Sequence, residues 1–306
     1  MSATAEVRAL PNASFSQLQV RFDADYGVYW AYMNARPRPC FTPQLLDELR
    51  LYLDTVVESH CDSRYGTTAA TVRYGVLASK TPGIFSLGGD LALFRSLIEN
   101  QDRNGLCRYG EACVNNLYPW HRNCEVQMTS VALVQGDALG GGFEAALSAS
   151  VLIVEESSRL GFPEILFNLF PGMGAFSFLS RKVGARTAEE LITSGQLYTA
   201  RQLYDMGVID IVTPDGTGEQ AVYSFIRRHA KNANGRRGFE RARTEVAQVT
   251  RDELIRVVQV WADTALRLTE RDLKMMERLI RAQQRTPVTT GASRSDNVVM
   301  LSAIAS

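Results

Sequence analysis

Val131-Ala132-Leu133-Val134-Gln135-Gly136-Asp137-Ala138-Leu139-Gly140-Gly141-Gly142-Phe143-Glu144 is the stretch on which the fold turns. Four apolar residues in a row read as a buried strand. The glycines break it, and Phe143 to Ser150 then takes up a helix-like pattern. Val151 to Val154 is apolar again and reads as a second strand. A strand, a turn, a helix and another strand in close succession point to α/β architecture.

The same alternation extends outward from that stretch. Leu18 to Phe22 and Val28 to Met33 predict strands, and Pro43 opens a helix through Leu45, Leu46, Leu49 and Leu53. Val72 to Ala78 predicts a strand, and Gly88-Gly89 breaks the chain before a helical run at Leu91 to Ile98. Past Thr199 only Val208 to Val212 reads as a strand. Thr250 to Gln284 carries apolar residues at Leu254, Val258, Trp261, Ala265, Leu268, Met275, Leu279 and Ala282, the face of one long terminal helix. An α/β core over residues 1–199 and a mainly helical region over 200–306 are expected, with a mobile tail from about 286.

Charge narrows the partners. Lys and Arg number 33 and Asp and Glu number 33, so no global positive field exists to hold nucleic acid or an anionic membrane. No apolar stretch approaches the roughly 18 residues of a membrane helix, and Met1 to Ala13 lacks the apolar segment of a secretory signal. Cysteines stand at 40, 61, 107, 113 and 124 without a C-x-x-C pair, the pattern of reduced thiols in a cytoplasmic protein. His60, His121 and His229 are scattered, so no zinc site is expected.

Familiar catalytic loops are missing. No Gly-Lys dipeptide exists for a P-loop, Gly140-Gly141-Gly142 lacks G-x-G-x-x-G spacing, and H-E-x-x-H does not occur. Gly83 to Gly88 reads G-x-x-S-x-G, one residue too long for a nucleophile elbow. Two glycine turns near carboxylates remain. Gly88-Gly89 fits either a ligand cradle or a plain turn capped by Asp90. Gly140 to Gly142 at a helix start offers bare N–H groups at the positive end of the dipole, with Glu144 in the first turn. Glu144 fits a catalytic role or simple complementation of that dipole. Farther on, Glu164 sits in Phe162-Pro163-Glu164-Ile165-Leu166-Phe167. It either faces water or lies in apolar surroundings that raise its pKa.

At these residues the sequence resembles the crotonase (enoyl-CoA hydratase/isomerase) superfamily. Both glycine turns, Glu144 in G-G-G-F-E and Glu164 in G-F-P-E carry the likeness, which covers about Phe15 to Gln284. Within the superfamily it is most similar to the diffusible-signal-factor synthases of bacteria. The runs Leu87 to Phe94, Val131 to Leu147, Leu169 to Ala175 and Arg281-Ala282-Gln283 carry that closer match.

The resemblance implies a spiral of ββα units and a C-terminal helical region that closes the site and builds homotrimers or hexamers. It implies an oxyanion hole from the amides of Gly89 and Gly141 and proton chemistry by Glu144 and Glu164, with no metal or cofactor. Gly88, Gly140, Phe162, Phe167, Phe170, Gly172 and Met173 are expected to contact substrate. Phe176 and Phe178 fit either an acyl channel or the core, and Trp261 either a lid or the core and interface. For the synthase subgroup the implied substrate is an acyl thioester on acyl carrier protein (ACP). A 3-hydroxyacyl chain is dehydrated to the cis-2-enoyl thioester and hydrolysed to a free quorum-sensing acid. A hydratase acting on trans-2-enoyl-CoA is the alternative enzyme. A non-catalytic acyl binder, or a protein docking onto a sensor kinase, is the alternative of another class. Arg181-Lys182 and Arg236-Arg237 are the candidates for a CoA phosphate site, against the plainer reading of solvated charged faces.

Overall fold

The computed structural model describes residues 15–63 and 71–284. The chain opens with an antiparallel pair, β1 (Leu18–Asp23) and β2 (Val28–Met33), then helix α1 (Pro43–Ser63). Repeated strand–strand–helix passages follow. β3 (Tyr74–Ser79) and β4 (Gly83–Ser86) lead to α2 (Leu91–Glu99) and α3 (Arg103–His121). β5 (Thr129–Val134) and β6 (Gly136–Leu139) lead to α4 (Gly141–Leu147). β7 (Val151–Glu155) and β8 (Arg159–Gly161) lead, through a 3-10 turn at Pro163–Phe167, to α5 (Ala175–Val183) and α6 (Ala185–Thr193). After them come β9 (Leu197–Thr199), α7 (Ala200–Asp205) and β10 (Ile211–Thr213). Helices α8 (Gly218–Ala230), α9 (Ala233–Val246), α10 (Arg251–Ala265) and α11 (Glu270–Gln284) complete the described chain.

In each passage the first strand joins one sheet and the second strand joins another. The larger sheet has the order β1-β2-β3-β5-β7-β10, and the smaller has the order β4-β6-β8-β9. Pairing is parallel except for β1 with β2 and β8 with β9. This is the expected ββα spiral. The inner strands β2, β3, β5 and β7 of the larger sheet are buried on both faces and so read as largely apolar runs, whereas the edge strand β1 alternates. Ala31, Ala132, Leu152 and Val154 face the main core, while Trp30, Val131, Leu133 and Ile153 meet Val222 and Ile226 of α8. The main core also takes in Leu254, Val258 and Trp261 of α10.

Several boundaries differ from the expected ones. The long terminal helix is two helices. Asp272 Oδ2 accepts Thr269 N and Thr269 Oγ1, both at 2.8 Å, and this local cap starts α11 afresh after α10 has ended. Expected strand residues Val208 and Ile209 instead close α7, their amides donating to Leu203 O, and β10 begins at Ile211. Helix α4 starts at Gly141 and ends at Leu147, ahead of the expected span. Helix α3 has no counterpart in the expectation, because Gly105, Gly110 and Pro119 lie inside it. Gly110 has a packing reason: a Cβ there would strike Val258 of α10. The tail from about 286 lies outside the described residues.

Candidate active site

Each glycine turn follows a strand of the smaller sheet and enters a helix. Beyond β4, Asp90 caps α2 by accepting Ala92 N and Leu93 N, each at 3.2 Å, while Arg38 holds its carboxylate at 2.9 Å. Phe41 N donates to Gly88 O at 2.8 Å. Tyr109 Oη donates to Phe41 O at 2.6 Å and accepts Asp90 N at 3.3 Å. The turn is thereby fastened on either side of Gly89. Beyond β6, Gly140 caps α4 at φ +51°, and its N–H donates to Gly161 O at 2.9 Å. That backbone conformation is glycine territory.

The two turns meet. A Cβ on Gly88 would lie 3.2 Å from Gly141 N, and one on Gly141 would lie 3.4 Å from Gly89 N. Among the described residues neither Gly89 N nor Gly141 N donates to any acceptor. Two free amides side by side, one of them at a helix N-terminus, make a cradle able to donate hydrogen bonds to an oxygen anion.

Both glutamates lie beside this cradle. Glu144 is 1% exposed, and its Oε1 accepts Met173 N at 2.8 Å and Ala175 N at 3.0 Å. Burial pushes its carboxyl up to about 7, opposed by these amides. Glu164 touches the second turn, since a Cβ on Gly140 would run into its Oε1. As a residue Glu164 meets some solvent, yet its Oε2 is sealed from water and has no hydrogen-bond partner. Burial, and then the nearby Glu144 charge, push it up to about 8. Of its apolar neighbours in sequence, Phe167 is buried and lines the same cavity, while Ile165 points outward at 37% exposure. Glu144 is thus supported as an anion by amides of the loop leading into α5, whereas Glu164 leaves Oε2 without a partner. The charge of Glu144 opposes ionisation of Glu164.

Both carboxyls open onto a largely apolar cavity enclosing about 130 Å³. Gly88, Gly89, Gly140, Gly141, Glu144, Glu164, Phe167, Phe170, Gly172 and Met173 all line it. Phe162 does not. It is fully buried and stacked on Phe143, ring centroids 4.9 Å apart, so its role is packing. Phe176 is 49% exposed and Phe178 packs against His121, both off the cavity wall. Trp261 is at once core and wall, 2% exposed and pressed against Gly172, where a Cβ would strike its indole.

A pair of raised carboxyls beside free amides on an apolar cavity can transfer protons next to a stabilised oxygen anion. Residues 62–279 match the family model described as enoyl-CoA hydratase/isomerase. The chain belongs to that family. A Bacillus subtilis relative named "Probable enoyl-CoA hydratase" is 28% identical over 179 residues, 58% of this chain and 63% of that protein. A Rhizobium meliloti relative of the same name is 30% identical over 146 residues, 47% of this chain and 57% of that protein. The chain thus spans less than two thirds of either relative's length. Among solved structures, human mitochondrial delta3-delta2-enoyl-CoA isomerase has a TM-score of 0.69 at 19% identity, over 87% of this chain and 99% of that one. That likeness establishes the hydratase/isomerase fold.

Sequence reasoning overlooked one whole wall of this hydratase/isomerase cavity. Tyr109, Cys113, Asn116, Leu117 and Trp120 of α3 line it, at spacings of three and four residues that mark one helix face. That spacing was the available signal. Neither basic candidate lines the cavity. Arg181 pairs with Glu253 at 2.7 Å and Lys182 with Asp210 at 3.1 Å. Arg237 borders a separate hollow beside Tyr74 and His229 and donates to Gln127 at 3.4 Å.

Proposed function

We propose that this chain dehydrates a 3-hydroxyacyl thioester carried by ACP to the cis-2-enoyl thioester. It then hydrolyses the thioester, releasing a cis-2-unsaturated fatty acid that acts as a quorum-sensing signal. One observation carries the reading: Glu144 and Glu164 converge on the unpaired amides of Gly89 and Gly141 at the head of an apolar cavity.

The chemistry follows from the groups present. Loss of the α-proton turns the thioester carbonyl into an enolate, whose oxygen charge the two amides stabilise. Losing one such donor typically costs on the order of 3 kcal/mol. The ionised carboxyl of the pair accepts the α-proton. The protonated one gives its proton to the departing 3-hydroxyl, which leaves as water. General acid and base catalysis contribute roughly 10²–10⁴-fold each. For hydrolysis the ionised carboxyl takes a proton from water, the resulting hydroxide attacks the carbonyl carbon, and the tetrahedral oxyanion occupies the same amides. The carrier thiol departs with a proton from the carboxyl pair. No covalent acyl-enzyme is required.

Exposed Phe239, Val246 and Val260 on α9 and α10 support burial of the C-terminal helices against further copies of the chain. A second reading, hydration of trans-2-enoyl-CoA by the same carboxyls, is favoured by the names of the relatives.

Incubation with 3-hydroxyacyl-ACP, followed by mass spectrometry, separates the readings. The primary reading expects free unsaturated acid, absent in Glu144→Ala and Glu164→Ala. Accumulation of 3-hydroxyacyl thioester from trans-2-enoyl-CoA, with no free acid, overturns it in favour of the hydratase.

A further inference from the structure

The apolar cavity has an open end and a blind end. Each lining residue that keeps partial exposure belongs to a glycine turn, to β6 leading into the second turn, or to the Pro163–Phe170 segment. The lining residues of α1, α3 and β3 are all buried. The mouth therefore lies at the amides and carboxyls. A thioester whose oxygen sits on those amides sends its carrier outward and its alkyl tail inward.

Helices α1 and α3 run side by side away from the mouth, and three contacts fix their register. Beside Gly89, Tyr109 Oη donates to Phe41 O at 2.6 Å. Farther in, Asn116 Nδ2 donates to Leu46 O at 3.1 Å. Farther still, the rings of Trp120 and Tyr52 have centroids 6.1 Å apart, and both line the cavity. The larger sheet stands directly behind these two rings. A Cβ on Gly75 of β3 would lie 2.8 Å from Trp120 Cη2 and 3.2 Å from Tyr52 Oη. Tyr52 is also anchored to β2, its Oη donating to Tyr29 O at 2.8 Å. Neither ring can recede without displacing a strand.

Helix rise gives the depth. Cys113 stands level with the carboxyls, its thiol pushed up by burial and then by the Glu144 charge. From Cys113 to Trp120 the helix axis advances roughly 10 Å. An extended chain gains about 1.2 Å per bond, so a tail meets the rings on the order of eight bonds beyond the reacting carbons.

Resting on the reading of this cavity as an acyl-chain site, we infer that Trp120 and Tyr52 form its floor and set the acyl chain length. Both are specificity-determining residues, and the substrate class is a medium-chain acyl thioester whose tail ends against the two rings. A longer tail must displace rings held from behind, and close-packed interiors yield little to such overpacking.

The test is calorimetric titration of the full chain with saturated fatty-acyl amides of increasing length. These keep a carbonyl oxygen for the glycine amides and resist hydrolysis, so turnover does not enter. Affinity is expected to rise about fourfold per methylene while the tail stops short of the rings. Past a peak it is expected to fall about tenfold or more. Trp120→Ala removes one ring and is expected to move the peak about two or more carbons longer. Gly75→Ala adds a methyl behind the rings, presses them into the cavity, and is expected to move the peak about one carbon shorter. Opposite shifts separate a floor from a residue that merely supports the fold, and Gly75→Ala carries the test by itself if Trp120→Ala does not fold. Affinity that climbs with length without a peak, or a peak unmoved in either folded variant, overturns the inference and leaves the acyl reading standing. If no amide of any length binds the folded protein, both fall.

Discussion

Gly140 and Glu164 are in direct contact: a single carbon added to the glycine would overlap Oε1 of the glutamate. The acid is therefore positioned by the absence of a side chain, and Gly140→Ala tests this. Its φ of +51° adds backbone strain to the collision. The carboxyl must move by about an ångström, and kcat/KM is expected to fall roughly 10²-fold. Steady-state kinetics on a 3-hydroxyacyl thioester, with circular dichroism as a control for folding, checks it. Unaltered kinetics would show that Glu164 is not a proton-transfer group.

Turnover should depend on pH as a bell. Both carboxyls are raised, Glu144 to about 7 and Glu164 to about 8, by burial above all. Below that window both are neutral and no base exists. Above it both are ionised and no acid remains. A maximum between these values is expected in the pH profile of kcat/KM, as macroscopic values of the pair. A profile flat from pH 5 to 9 would contradict it.

Stability should run the other way from that of most carboxylates. A carboxyl whose pKa is higher folded than unfolded binds its proton more tightly in the folded state. Its neutral form fits, and stability is lost as pH rises from the unfolded value near 4.5 towards about 8. Glu164→Gln removes this ionisation. The variant is expected to be more stable than the parent chain at pH 9, on the order of 2 kcal/mol after discounting for partial exposure, and indistinguishable at pH 4. Chemical denaturation at the two pH values measures the difference.

What the sequence disclosed and what it hid have physical reasons. That Glu144 and Gly141 stand at the cavity was legible because three consecutive glycines at a helix start are costly unless something must come close, and here a Cβ on Gly142 would strike Ser86 O. Phe162 was misjudged because it sits on the opposite side of the chain from Glu164: at φ −119°, ψ 90° it enters the core against Phe143, and Pro163 then turns the chain toward the cavity. The α3 wall was obscured because Gly105, Gly110 and Pro119 interrupt its pattern, though Gly110 exists to let α10 approach.

Gly141 allows the oxyanion cradle to be tested without touching either acid. It is the first residue of α4, the helix position at which proline is best tolerated, since that N–H has no partner within the helix. Gly141→Pro therefore deletes the proposed donor while the helix hydrogen bonds that follow, such as Glu144 N to Gly140 O at 3.0 Å, can persist. Turnover is expected to fall roughly 10²–10³-fold in kcat, the usual effect of losing one oxyanion donor. Glu144 should keep its amide partners at Met173 and Ala175, so the acid limb of the pH profile should stay near 7. A large loss of kcat with an unmoved limb assigns the defect to the cradle. Full activity in a folded Gly141→Pro variant would mean that the thioester oxygen binds elsewhere.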